Sequence, residues 1–342
     1  MPLQVLQTKI VLCQVVGQSD TEGKIVLVTG GEGFIGYNLV RHLVSLADVS
    51  QVIVVDNYIT SKPKNRLPKT VVIDMDICEM SFVDHMYTHY KSIDEIYHLA
   101  SLASPAAYKN YVLETLDVGY MGTKNVLELC VHYKCRLLYT STSEVYGDAL
   151  EHPQKESYYG NVNPYGERSN YDESKRIGET LIYNYRKLYD VDARIARVFN
   201  TYGPHMSLYD GRIVTEIIKA ILNKSALVIY GDGSQTRSMC YVEDTVDMLV
   251  DLMKSDYSLP INVGNDQEIT INELVDIVMD TYSCHFNTRV KLDIRFTELE
   301  RDDPKQRRPC LQLNKLVLGS REFTNLRKGI LETILYFKNS IN

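Results

Sequence analysis

Tyr171 and Lys175 stand four residues apart, so if Tyr171 to Tyr189 is a helix both side chains project from one face. A phenol ordinarily titrates near pH ~10 and is a poor base at neutrality; a neighbouring ammonium stabilises the phenolate and lowers that value. Such a tyrosine can take the proton of a secondary alcohol while an oxidised cofactor takes the hydride. Alone, the pair is commonplace on helices. Here it comes after an apolar run that ends in Thr140-Ser-Thr-Ser-Glu144, which brings hydroxyls to the end of what reads as a strand.

A second set of residues is suited to phosphate. Gly30, Gly31, Gly33 and Gly36 lie in Thr29-Gly-Gly-Glu-Gly-Phe-Ile-Gly36, after the apolar run Ile25 to Thr29. Glycines there permit a tight turn, let backbone approach a pyrophosphate and let a helix pack closely on the strand, its N-terminus facing the anion. Asp56 closes the next apolar run, roughly 20 residues on, where a carboxylate accepts ribose hydroxyls. An acid at that position repels a 2′-phosphate, so NAD is predicted over NADP. Asp76 and Ile77, after the third run, are placed to receive the adenine.

The elements that must hold these residues are legible as apolar runs: Ile25 to Thr29, Val52 to Val55, Thr70 to Ile73, Glu95 to Leu99, Arg136 to Tyr139 and Val191 to Val198. Each is separated from the next by enough chain for a helix. From Phe34 to Ala47, Leu39, Val40, Leu43 and Leu46 recur at helical spacing. Unbroken apolar strands alternating with helices predict an α/β fold, a Rossmann-type doubly wound parallel sheet. After Phe199 short segments are broken by Gly203-Pro204, Asp210-Gly211, Gly231-Asp232-Gly233 and Asp303-Pro304. We expect an N-terminal arm over 1–23 and a NAD-binding domain over 24–199 that also takes 241–259. The remainder of 200–342 is expected to be mainly a smaller substrate-binding lobe over the carboxyl ends of the strands.

Composition narrows the class. A net charge of -7 and a pI near 5.7 argue against the basic face that phosphate-backbone binders usually need, so no nucleic-acid partner is expected, although a few local arginines can still bind a diphosphate. Seven cysteines without a pattern of short-spaced pairs beyond Cys130 and Cys135 point to reduced thiols, neither a disulfide framework nor a zinc site. Ile10 to Ser19 is uncharged but far shorter than the ~20 residues of a membrane span and is interrupted by Gln14 and Gln18. No membrane partner and a cytoplasmic location are expected.

Together, Gly30 to Gly36, Thr142, Tyr171 and Lys175 resemble the signature of the extended short-chain dehydrogenase/reductase family, from about Lys24 to the C-terminal helix. The resemblance implies that Thr142 bonds the substrate oxygen, Tyr171 is the base, and Lys175 holds the tyrosine and the nicotinamide ribose. Phe34, Ile35, Asn57, Leu99 and Ala100 complete the implied cofactor contacts.

Longer strings resemble the UDP-glucuronate decarboxylases of that family: Thr140 to Asp148, Glu151-His-Pro153, Gly160 to Pro164, Arg168 to Lys175, Arg194 to Pro204, Tyr230 to Arg237 and Asp302 to Pro309. This implies UDP-glucuronate as substrate, with Glu144 and Arg307 near the sugar carboxylate and Ser143 assisting protonation. Asn200, Arg212 and Arg237 are implied to grip the UDP portion, with Tyr108 and Tyr230 also lining the substrate site. A guanidinium suits either anion because its planar fork binds carboxylate or phosphate oxygens bidentately. The implied sequence is oxidation at C4, loss of carbon dioxide from the 4-keto acid, protonation at C5 and return of the hydride to C4. A 4,6-dehydratase has an Asp just before the Glu to protonate a leaving hydroxyl, where this chain has Ser143. A 4-epimerase or dehydratase of the same family, and a non-catalytic NAD-binding regulator, are the alternatives.

Two positions depart from the family pattern. Gly119, with Gly122-Thr123 just beyond it, replaces an Asn whose amide is expected near the cofactor, and Tyr108 to Val112 lacks the usual Asn-Pro pair. The resemblance also implies a homodimer through a four-helix bundle, with Ile177, Leu181 and Ile182 plus Val126 and Leu129 as the expected apolar stripes.

Overall fold

A computed structural model describes residues 23–64, 66–298 and 306–341. The expected arm over 1–23, Gly23 aside, and the Asp302 to Lys305 part of the last string lie outside them. The first half of the chain runs β1 (Lys24–Thr29), α1 (Phe34–Ser45), β2 (Val49–Asp56), β3 (Thr70–Asp74), α2 (Met80–His89), β4 (Glu95–His98), α3 (Pro105–Asn110) and α4 (Val112–Asp117). A π-helical turn (Val118–Gly122) leads into α5 (Thr123–Tyr133), β5 (Arg136–Thr142), a 3₁₀ turn (Ser143–Tyr146), α6 (Ser169–Tyr189) and β6 (Ala193–Val198). The second half holds β7 (Thr201–Tyr202), α7 (Ile213–Asn223), β8 (Leu227–Tyr230), β9 (Thr236–Ser238), β10 (Cys240–Tyr241) and α8 (Val242–Lys254). It ends with β11 (Pro260–Val263), β12 (Glu268–Thr270), α9 (Ile271–Phe286), β13 (Ile294–Thr297), β14 (Gln306–Arg307), α10 (Gln312–Leu318) and α11 (Leu326–Ile341).

Seven strands form the main sheet in the order β3-β2-β1-β4-β5-β6-β11, every neighbouring pair parallel. Val26, Leu27 and Val28 are all fully buried, because helices cover both faces; this is why the strands read as unbroken apolar runs. Each such side chain contributes about 1.5–3 kcal/mol of burial energy. The order reverses between β1 and β4, and the crevice beyond their carboxyl ends is where an open sheet of this kind binds ligands.

The expected boundary at 259 needs moving. β11 pairs with β6 and carries the fully buried Ile261 and Val263, so the sheet regains chain up to Val263. α8 covers β5 and β6, and α10 packs on α8 and β11, so a piece of the C-terminal region also belongs to this half. α7, α9, α11 and the short sheets β8-β13 and β12-β9-β14 build the capping lobe around its own apolar core.

The expected dimer stripes are corrected in part. Ile182, Val126 and Leu129 are fully buried in the chain's own core, because α5 and α6 use those positions to cover the sheet. Exposed apolar residues of this region include Val112, Leu113, Leu116, Tyr120, Met121, Ile177 and Tyr183, on α4, the π-turn and α6. Among the described residues no helix is long and apolar enough to cross a membrane, and no group of three or more His, Cys, Asp or Glu is placed to hold a metal.

Candidate active site

A cavity of about 930 Å³ opens between the carboxyl ends of the strands and the capping lobe. At one end, Gly30 has φ of +71° and a Cβ there would lie 2.7 Å from the Ala100 nitrogen; a Cβ at Gly36 would lie 2.1 Å from the Gly30 carbonyl oxygen. Only glycine lets α1 sit this close to the turn. The first turn of α1 has no side-chain cap and no acidic residue, so its free N–H groups and positive end suit a pyrophosphate beside Gly33, Phe34, Ile35 and Gly36.

Asp56 is held rigidly. Its Oδ2 accepts the Glu32 N–H at 3.0 Å, and its Oδ1 accepts the Tyr58 N–H at 3.0 Å and the Ser61 hydroxyl at 2.8 Å. A carboxylate has about four acceptor directions, so one remains for a ribose hydroxyl while the charge still opposes a 2′-phosphate. Asn57 donates to Asp76 Oδ2 at 3.1 Å, and the Cys78 N–H donates to Asp76 Oδ1 at 2.8 Å. With Ile77, Leu99 and Ala100 they line the same end of the cavity, so the donor set and the glycine cradle fit NAD.

Deeper in, α6 crosses the end of β5 and delivers Tyr171 and Lys175, both buried, to the cavity wall. Helix α6 is well terminated: Arg186 and Lys187 occupy its negative end and Asp190 closes it in the left-handed conformation. Lys175 Nζ donates to the Thr140 carbonyl at 2.8 Å, and burial lowers its pKa to about 7. Tyr171 stacks on Tyr108 with ring centroids 5.2 Å apart. Burial pushes the Tyr171 phenol up to about 12, opposed by a hydrogen bond with Thr142 and the charge of Arg212. The expected lowering of the phenol by Lys175 is therefore not met, because that ammonium is engaged with the Thr140 carbonyl and is itself desolvated.

Next to Tyr171 lies a charged cluster that the sequence only half disclosed. Glu144 Oε1 meets Arg307 Nη1 at 2.7 Å and Arg168 Nη2 at 3.0 Å, while Oε2 accepts from Arg307 Nη2 at 2.8 Å. Burial would raise the Glu144 carboxyl, but Arg307 and Arg168 outweigh it and hold it well below its ordinary range. Ser143 and Glu144 sit in the 3₁₀ turn that Thr142 caps by accepting the Glu144 N–H at 3.2 Å. Arg168 belongs in the site although sequence reasoning did not single it out. Its signal was its place one helical turn before Tyr171, on the same face. Asp172 was also missed: it is 6% exposed, its Oδ1 has no hydrogen-bond partner, and burial, then the charge of Glu144, raises it to about 8.

The lobe supplies the other wall. β14 runs beside β9 with Arg307 opposite Arg237, both buried, and Arg237 donates to the Thr236 carbonyl at 2.8 Å. Arg212 is aimed by Asp210 at 3.1 Å and donates to the Ala103 carbonyl at 3.1 Å. Asn200 and the half-exposed Tyr230 line the same wall, and the hydroxyl of Tyr108 is buried without a partner. Apart from Gly31, which packs against Val54, the residues singled out from the sequence for cofactor, catalysis or substrate thus line one cavity.

Both departures have a local explanation. A Cβ at Gly119 would lie 2.6 Å from the Cβ and the carbonyl oxygen of Ser174, so α6 occupies the space that the missing amide would need. Without the Asn-Pro pair the chain still breaks between α3 and α4 at Tyr111, and Asn170 donates to the Tyr108 carbonyl at 2.7 Å, fixing that ring beside Tyr171.

The sequence pattern of the NAD dependent epimerase/dehydratase family matches residues 26–264, and the chain belongs to that family. Its relatives are more particular. The chain is 44% identical over 310 residues to UDP-glucuronic acid decarboxylase 6 of Arabidopsis thaliana, covering 89% of this chain and 86% of that protein. It is 41% identical over 323 residues to UDP-glucuronic acid decarboxylase 1 of Danio rerio, covering 94% and 75%. Among solved structures, UDP-N-acetylglucosamine 4-epimerase from Methanobrevibacter ruminantium M1 in complex with UDP-N-acetylmuramic acid superposes with TM-score 0.81 at 26% identity, covering 94% of this chain and 100% of that one. DesIV, the dTDP-glucose 4,6-dehydratase of Streptomyces venezuelae with NAD and TYD bound, shares the fold with TM-score 0.80 at 22% identity, covering 92% and 97%.

Proposed function

We propose that this chain is an NAD-dependent UDP-glucuronate decarboxylase that forms UDP-xylose. The observation that carries the reading is the buried Glu144, Arg168 and Arg307 cluster beside Tyr171: two guanidiniums share one carboxylate, leaving a net charge of about +1 for an incoming carboxylate to neutralise. NAD bound at the glycine turn supplies the hydride acceptor for C4 and later returns the hydride.

As the phenolate, Tyr171 Oη takes the proton of the C4 hydroxyl, with the Thr142 hydroxyl holding the same oxygen. Arg307 and Arg168 orient the sugar carboxylate. The resulting 4-keto acid is a β-keto acid, so its C5–C6 bond breaks with release of carbon dioxide and the electron pair passes to the C4 oxygen as an enolate. Thr142 and Tyr171 then face the developing negative charge, which is where donors have most effect. A proton reaches C5 from the side of Ser143 and Glu144, and Tyr171 returns its proton to the C4 oxygen as the hydride comes back. The balance is UDP-glucuronate plus one proton to UDP-xylose plus carbon dioxide, with no net oxidation. A dehydratase would need an acid where Ser143 stands.

Purified protein given UDP-glucuronate and no added cofactor should release carbon dioxide and a UDP-pentose, read by mass spectrometry. Unchanged UDP-glucuronate alongside turnover of UDP-glucose or dTDP-glucose would reject the assignment. We also infer a homodimer whose contact is the exposed apolar face of α4, the π-turn and α6, including Leu113 and Tyr183. It is supported by the exposed apolar side chains that these elements carry, and the mass in solution should be twice 39.1 kDa.

A further inference from the structure

Glu32 lies inside the glycine turn yet is fully buried, an expensive place for a carboxylate unless it is well partnered. Its side chain accepts the Lys64 backbone N–H at 2.5 Å. Its own N–H goes to Asp56 at 3.0 Å, and its carbonyl accepts Lys64 Nζ at 3.0 Å. One residue thus joins the turn that faces the pyrophosphate, the carboxylate that faces the ribose, and the loop between β2 and β3.

That loop forms part of the cavity wall, through Ile59, Thr60, Ser61 and Lys64. Lys64 goes further. Its ammonium reaches the His205 carbonyl at 3.4 Å and stands 5.7 Å from the centre of the Tyr37 ring. His205, at φ +72°, has its ring between Tyr37, 4.4 Å away, and Tyr336 of α11, 4.6 Å away. Asn38 of α1 donates to the neighbouring Pro204 carbonyl at 3.1 Å. The loop over the adenosine end is therefore pinned to the turn beneath it and to the entrance of the capping lobe.

We infer that Glu32 and Lys64 form a latch that holds the 57–64 loop closed over the adenosine half of NAD, so that the cofactor is retained from one turnover to the next. The inference rests on the reading of the cavity as an NAD site. Glu32 is a positioning residue: it does not line the cavity and acts through Lys64, which does. Retention matters because the cofactor must be present in its reduced form when the sugar is ready to be re-reduced.

The test is the release rate of NAD from the full chain, measured by exchange against labelled NAD. Glu32→Ala leaves the Lys64 N–H unpaired and should release NAD about tenfold faster or more. Its turnover should decay without added NAD and recover when NAD is supplied. Glu32→Gln, which keeps an acceptor oxygen, should restore slow release. Lys64→Met removes the ammonium but keeps the backbone N–H, and should speed release by about threefold or more. Wild-type release rates in Glu32→Ala and Lys64→Met overturn the latch; if Glu32→Ala fails to fold, a wild-type rate in Lys64→Met alone does so. A native protein that binds no NAD overturns the functional reading and the latch with it.

Discussion

The two walls of the cavity are built in opposite ways. The sheet wall takes its chemistry from short contiguous segments: the turn Gly30 to Gly36, Asp56 at a strand end, the run Thr140 to Glu144 and one helix with Tyr171 and Lys175. The lobe wall collects Asn200, Arg212, Tyr230, Arg237 and Arg307 from separate short elements spread over a third of the chain. The sheet wall fits a cofactor and a base that oxidise many secondary alcohols. In the proposed mechanism the Arg307 side of the lobe wall, meeting Glu144 and Arg168, is what selects the sugar and orients its carboxyl group for loss. Hydride chemistry and substrate choice are thus carried by different layers of the molecule, and substitutions should separate them.

The largest effect is expected on the sheet wall. Tyr171→Phe should keep NAD and lower kcat by about 10³-fold, the range of a general base, and equal kcat in the two proteins would remove the phenol from the mechanism. Next comes the lobe wall: Arg307→Ala strips one partner from a buried pair and should lower kcat/KM for UDP-glucuronate by about 10²- to 10³-fold with NAD content unchanged. Loss of NAD in that variant would show that the walls are not separable. Arg168→Lys keeps the charge but loses the planar fork and should cost about tenfold in the same ratio.

A smaller effect sharpens the electrostatics of Lys175. Burial holds it at about 7 in the folded protein against an ordinary value of 10.5 in the unfolded chain, so between those values the unfolded state binds more protons and stability rises with pH. Relative to Lys175→Met, the ligand-free protein should gain up to about 1.4 kcal/mol per pH unit in that window, measured by denaturant melts. A parallel pair of pH profiles would show that the ammonium is not desolvated. Finally, Gly119→Asn should restore no function and should lower stability by about 1–3 kcal/mol, because its Cβ meets Ser174. A higher Tm in that variant would contradict the packing described.

The same contrast governs how much of the molecule was legible in its sequence. Strands such as Val26 to Val28 are buried on both faces and announce themselves as apolar runs, and the glycine turn is fixed by backbone sterics that few other residues satisfy. β11 was missed because Pro260 to Val263 is short and lies among lobe residues, so its place in the sheet is decided by pairing with β6. Arg168 and Asp172 were passed over because their part depends on the approach of Glu144 from the end of β5, which spacing along the chain does not reveal. Val126, Leu129 and Ile182 were misassigned to a dimer face because periodicity gives an apolar side but not what covers it.

If Tyr171 acts as the base for oxidation at C4 and the cofactor stays bound until the ketone is re-reduced, the C4 hydrogen must return to the carbon it left. The decisive experiment is turnover of UDP-glucuronate deuterated at C4, run in ordinary water and read by NMR of the product. The predicted result is UDP-xylose with the deuterium still at C4 and, in a matching run of unlabelled sugar in deuterium oxide, one deuterium at C5. Product lacking the C4 label, or lacking solvent hydrogen at C5, would contradict it.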